Sequence, residues 1–132
     1  MKNILSKIFS FSNISLPEAV KNSFFKKFGD SINVEWLHSD DFYEAIFYLE
    51  DIEYIARFDS LGKLLNLKKN LPIHTTPEHI KRKAALHGEL MNVIEIMEDE
   101  IVGYELIVRD ETLIRFSLLL NEKGGLIHKS KL

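Results

Sequence analysis

The chain has no cysteine among its 132 residues, which excludes a disulfide scaffold, thiol catalysis and cysteine-ligated zinc. Proline is scarce at three and glycine at six, so there is no Pro-rich linker and no low-complexity segment. Positive charge is not in excess. Lys and Arg number 17 against 20 Asp and Glu, a net charge of −3, and this balance argues against nucleic acid as a partner. No stretch approaches the ~18 uninterrupted apolar residues of a membrane span. Lys7 splits the apolar positions near the start, and no Ala-x-Ala-like site follows, so no secretory signal is read and the cytoplasm is the expected address. What remains is 45% hydrophobic and 28% charged, the balance of one globular domain able to bury a core without staples.

Residues 1–14 read as an arm or short amphipathic helix ahead of a single domain over residues 15–132. Ile4, Leu5, Ile8 and Phe11 fall at near-helical spacing beside Lys2 and Lys7. Packing on the domain's own surface is the simpler expectation. Contact of residues 1–11 with a membrane surface is the alternative.

An internal repeat organises the rest. Ser15-Leu16-Pro17-Glu18 and Thr75-Thr76-Pro77-Glu78, sixty residues apart, both read as capping boxes. Val20, Phe24 and Phe28 then recur every four residues up to Gly29, which suits a left-handed cap, and Ile80, Ala84 and His87 take a similar helical spacing before Gly88. Behind each helix the period changes to two, the mark of strands. Val34 and Trp36 match Ile94 and Ile96; Tyr43, Ala45, Phe47 and Leu49 match Tyr104, Leu106 and Val108; Tyr54, Ala56 and Phe58 match Ile114, Phe116, Leu118 and Leu120. A Gly turn and a short last strand close each half. The expected fold is α+β: two tandem units, 15–70 and 75–132, each one helix followed by a four-stranded antiparallel meander, with the helices on one face of the sheet. Residues Asn70 to His74 form the expected connector.

The order Leu-Pro-Glu-Ala-Val-Lys and Phe-Phe-Lys-Lys-Phe, then Val34-Glu35-Trp36, Tyr43-Glu44-Ala45-Ile46-Phe47 and Phe58-Asp59-Ser60-Leu61-Gly62-Lys63, resembles the PepSY-like, β-lactamase-inhibitor-like periplasmic proteins of Bacteroidetes. The resemblance covers residues 15–132. It implies a tandem α+β fold, a binding or inhibitory role and, as the alternative address, the periplasm. It supplies no catalytic residues.

Sites for chemistry are not legible. The five histidines form no His-Glu-x-x-His pair, so no metal or other cofactor is expected. Ser60 lacks a nucleophile elbow. Asp59 and Asp110 stand where hairpins use Asp for backbone hydrogen bonds. The acidic turns Asp40-Asp41 and Glu98-Asp99-Glu100 lack the alternating oxygen ligands of a calcium loop. The chain therefore reads as no enzyme.

If Val34, Trp36, Tyr43, Ala45, Phe47, Tyr54, Ala56 and Phe58 face the helices, the alternate residues face outward. That outer set contains Leu37, Glu44, Ile46, Tyr48, Arg57, Val93, Met97, Glu105, Ile107, Arg115 and Leu119, a mixture of apolar groups, Tyr and Arg that favours interface centres. The expectation is a non-catalytic protein-binding module, an inhibitor by occlusion, docking an unidentified protein partner. Ile46, Tyr48 and Ile107 would anchor it, and Arg57 and Arg115 would orient it through carboxylates. A homodimer would bury the same face. The alternative is a small-molecule or lipid carrier with a pocket between sheet and helices, where Ala84 and Ala85 leave room.

Overall fold

A computed structural model describes residues 9–10 and 15–132. The remaining residues of the 1–14 arm, and with them the membrane-contact reading, lie outside the described residues. The fold is α+β, with antiparallel strands and, among the described residues, two α-helices. The chain divides into two compact units, residues 1–67 and 68–132.

The first unit holds β1 (Phe9–Ser10), α1 (Glu18–Phe28), β2 (Ile32–His38), β3 (Tyr43–Leu49), β4 (Ile52–Phe58) and the start of β5 (Leu64–Leu71). Its strands neighbour one another in chain order. Phe9 and Ser10, in the segment expected as an arm or short helix, pair with His38 and Leu37 as a strand. Helix α1 forms because Val20, Phe24 and Phe28 recur every fourth residue, with Glu18 in its first turn and Lys26 and Lys27 in its last, each sign matched to the helix dipole. All three apolar residues are buried with Ala45, Phe47, Ala56 and Phe58. The Phe47 ring lies 5.2 Å from that of Phe24 and 4.8 Å from that of Phe28, and it stacks on Tyr54. Trp36 sits at the margin of this cluster, half-buried, with its ring 5.1 Å from Phe24.

The second unit holds the end of β5, a short 3₁₀ turn (Ile73–Thr75), α2 (Glu78–Ala85), β6 (Glu89–Glu98), β7 (Ile101–Arg109), β8 (Arg115–Asn121) and β9 (Leu126–Lys131). Its core is mainly aliphatic: Ile80 and Ala84 from α2 pack with Val93, Tyr104, Leu106, Val108, Leu118 and Leu120.

Several expectations are corrected. Neither capping box exists. Pro17 and Pro77 are themselves the N-caps, with no side-chain cap hydrogen bond. Each proline carbonyl instead accepts two helical N–H groups, from Val20 and Lys21 in one case and from Ile80 and Lys81 in the other. A proline at the cap is extended (ψ near 142°), which swings the preceding hydroxyl residues out of reach. Gly29 ends α1 in the right-handed region, not the left. Helix α2 ends at Ala85, leaving His87 in the loop beyond it. The connector is shorter than Asn70 to His74, because β5 runs on to Leu71.

Two bulges decide which residues face the helices. In β2 the register slips between Ile32 and Glu35, with Asn33 at φ 55°, and Val34 is exposed where burial was expected. In β6 the register slips between Leu90 and Asn92. Beyond that slip Val93 pairs with Leu106 and Met97 with Val102, so both lie on the helix side, while Ile94 and Ile96 lie on the opposite face with Glu105. The expected faces of β6 are therefore reversed.

Candidate functional site

In the first unit the strand face away from α1 is occupied by its own contacts. Leu37, Glu44 and Arg57 stand abreast on β2, β3 and β4. Leu37 and Glu44 are buried, at 1% and 5% exposure, so the outward roles expected of them fail. Arg57 donates from Nε and Nη2 to one Glu44 oxygen at 3.1 and 2.8 Å, and its guanidinium lies 3.9 Å from the centre of the Phe42 ring. An arginine held on both sides is not free to orient a partner's carboxylate. Ile46 lies between Glu35 and Ile55. Tyr48 donates to Glu53 at 3.4 Å.

The second unit differs. Its face away from α2 carries Ile94, Ile96, Glu105, Ile107, Arg115 and Leu119, because Asn92 pairs with Ile107, Ile94 with Glu105, Glu105 with Leu119 and Arg109 with Arg115. Met97, expected here, stands on the helix side instead. Gly103 lies between Ile96 and Asn121, near the β6–β7 hairpin end of this face. Having no side chain, it leaves a depression of about 260 Å³ rimmed by Ile96, Ile101, Leu119, Asn121 and Ile127. A Cβ there would meet the Leu120 carbonyl oxygen at 3.1 Å. The sequence reading missed Gly103, Ile96 and Ile127; a glycine interrupting a strand was the available signal. Of the residues expected on this face, Ile107 and Glu105 are half-buried and Arg115 is exposed, and Arg109 is tied to Glu89 at 2.9 Å.

The turn acids behave as backbone anchors. One oxygen of Asp59 accepts from the N–H groups of Leu61 and Lys63, and one of Asp110 accepts from Thr112 and Ile114. The Thr112 hydroxyl also donates to Asp110 at 2.7 Å, which with these N–H groups holds the carboxyl below the usual range. Asn121 repeats the arrangement toward Lys123 and Gly125.

Among the described residues no group of three His, Asp or Glu side chains is placed to hold a metal ion. Ala84 is buried in the apolar cluster. Ala85 lines a separate depression of about 330 Å³, but it opens at the loop after α2 opposite Asp110, Glu111 and Thr112, not beneath the helix as a carrier would need. No helix among the described residues is long and apolar enough to cross a membrane.

With this geometry in hand the chain can be placed among known structures. No family model matches it, and no curated protein does either. A DUF2874 family protein from Bacteroides uniformis superposes with a TM-score of 0.79 at 17% identity, over 89% of this chain and 90% of that one. The chain has the DUF2874 fold. A BLIP-like protein from Bacteroides fragilis follows at 0.75 and 16%, over 92% of this chain and 89% of that one. A candidate periplasmic protein from Bacteroides eggerthii gives 0.75 and 15%, over 89% and 90%. At these identities the likeness is one of fold, shared with proteins of Bacteroides, and PepSY is not among the names these neighbours carry. The cytoplasmic expectation gains no support from them.

Proposed function

We propose that the chain is a non-catalytic protein-binding module of BLIP-like fold, built as two tandem helix-and-meander units, that docks a partner protein on the outer strand face of its second unit. The observation that supports this reading is the Gly103 depression. It is a mainly apolar dent large enough for one bulky side chain, at the β6–β7 hairpin end of a half-buried aliphatic face, with Glu98 and Asp99 also lining it. Interfaces of this kind concentrate their energy where an aromatic or aliphatic anchor enters such a pocket. A partner seated there would be occluded, which is how the module would inhibit. A heterologous protein is favoured over a second copy. Two copies stacked face to face across a two-fold axis would each present a dent to a dent, with no protruding anchor to fill it.

The test is position-specific crosslinking. A photo-crosslinking residue at Leu119 should capture a defined protein that the same residue at the exposed Phe25 of α1 does not. Gly103→Ala, whose Cβ enters the floor of the dent 3.1 Å from the Leu120 carbonyl oxygen, should weaken that capture several-fold, with thermal melts showing that the strand accommodates the methyl. Equal capture at both positions, or indifference to Gly103→Ala, would refute the reading. A periplasmic address, favoured by the candidate periplasmic neighbour of the same fold, is checked by fractionating native cells.

A further inference from the structure

Strand β9 ends the strand order and pairs on one side only, with β8. Among the described residues no strand meets its other edge, and all six of its residues are exposed. A row of backbone N–H and C=O groups therefore faces outward, the template on which an extended segment can add itself to a sheet. The side chains flanking this edge are sorted by sign. Lys129 lies opposite Leu118 and Lys131 opposite Phe116. Leu118 belongs to the core under α2, so both lysines project on the helix side. Lys129 Nζ stands 4.5 Å from the centre of the Phe116 ring and 3.2 Å from His87 Nδ1.

Lys83, on α2, adds a third cation. Its charge and that of Lys129 reinforce the desolvation that lowers the pKa of His87. The carboxylate of Asp110 feels Lys129 as well, but its hydrogen-bonding oxygen is already taken by Thr112 and Ile114. Neither Lys129 nor Lys131 forms an ion pair among the described residues. His128 and Ser130 point to the other face, beside Leu119 and Ser117.

We infer that the free edge of β9 takes up an extended acidic segment of another protein by strand addition. Side chains on one face of a strand recur every second residue, so the added segment carries Asp or Glu at alternate positions on the side of Lys129 and Lys131. A second copy of this chain is the poorer occupant, because pairing β9 with β9 would set two lysines of one copy among those of the other, and like charges across a strand pair repel. The surface is distinct from the Gly103 depression, and its test does not depend on that site.

The experiment uses the whole chain, with amide hydrogen exchange read by NMR and two short synthetic peptides, one alternating Glu with Val and one alternating Lys with Val. The Glu peptide should protect the β9 amides that point away from β8, and protection should weaken with salt. The double variant Lys129→Glu with Lys131→Glu should lose affinity for it by about tenfold or more and should take the Lys peptide instead. Gain of the opposite peptide shows that the variant is folded. Should the double variant unfold, Lys131→Glu alone carries the comparison. Protection that is equal with both peptides, that appears with protein concentration alone, or that never reaches β9 would overturn the inference.

Discussion

Two adjacent threonines at the start of α2 should respond to the same substitution with opposite signs. Thr76 is 5% exposed and its Oγ1, fully buried, has no hydrogen-bond partner. Thr75 is exposed and its hydroxyl donates to the Pro72 carbonyl at 2.8 Å. Thr→Val exchanges the hydroxyl for a methyl of nearly the same size and keeps the β-branch, so the extended backbone of Thr76, φ −62° and ψ 134°, suits both residues. At position 76 the change removes the penalty of a buried unpaired hydroxyl, about 1 to 3 kcal/mol, and adds apolar burial. Partial relief in a real structure makes a gain of about 1 to 2 kcal/mol the fair expectation. At position 75 the change breaks a hydrogen bond worth about 0.5 to 1.5 kcal/mol and buries nothing. In a chain of this size 1 kcal/mol moves Tm by roughly 3 to 5 °C. Urea melts of both variants beside the parent, with Tm from calorimetry, would show Thr76→Val rising and Thr75→Val falling. The corresponding residue of the first unit, Leu16, is apolar and packs against its cluster, which is the environment the argument ascribes to Thr76. A loss of stability in Thr76→Val would show that its hydroxyl does have a partner, and the reasoning would fail.

Other outcomes follow from the same structure. Leu113 holds φ 68°, the place taken by Gly62 (φ 87°) and Gly124 (φ 93°) in the two other Asx-anchored turns, and it is 70% exposed. Leu113→Gly should therefore stabilise by about 0.5 to 1 kcal/mol in denaturant melts, since relief of left-handed strain outweighs the extra unfolded-state entropy. Glu44→Gln leaves Arg57 beneath Phe42 without its anionic acceptor and should cost about 1 to 3 kcal/mol, whereas Glu53→Gln, next to Tyr48, should cost little. The pKa of His87 is lowered, first by desolvation and then by Lys129 and Lys83. The unfolded chain therefore binds the proton first, and stability falls as pH drops from about 6.5 through the folded value, levelling below it. Melts between roughly pH 7.5 and 5 should show that slope, and Lys129→Gln should make it shallower; an unchanged slope would remove His87 from the account.

The helices and the strand order were legible because each rests on a strong local period. Val20, Phe24 and Phe28 could form nothing but an apolar stripe, and the alternation through Tyr43 to Leu49 correctly put Ala45 and Phe47 in the core. The caps were misread for a local reason: Ser15-Leu16-Pro17-Glu18 and Thr75-Thr76-Pro77-Glu78 match capping boxes in letters, but Pro17 and Pro77 are themselves the N-caps, so each hydroxyl stands two residues ahead of the cap and makes no cap hydrogen bond. Larger errors came from the bulges. A strand's faces alternate strictly, so one extra residue exchanges them. Asn33 in β2 exposed Val34, and the slip beside Leu90 in β6 took Val93 and Met97 to the helix side and sent Ile94 and Ile96 outward. Carrying a sixty-residue spacing from one half to the other could not detect either slip, because a bulge changes the register without changing the composition.

That exchange of faces decides where the functional reading rests. With Ile96 assigned inward, Gly103 had no apolar neighbour in prospect and the depression was invisible, so the outer faces of both halves were read alike. The register separates them. In the first unit Arg57 is spent on Glu44 and Phe42 and Leu37 is buried, so truncating Ile46, Tyr48 and Arg57 together should destabilise the chain through the broken ion pair, not leave it untouched. In the second, Ile96 and Leu119 border an open dent, and Ile96→Ser with Leu119→Ser should cost less stability than Val93→Ala with Leu106→Ala, each of which empties space in the core. Thermal melts of the three combinations rank the faces directly. If the Ile96 and Leu119 pair proves as costly as the core pair, that face is covered in the native protein, and the docking surface must be sought elsewhere.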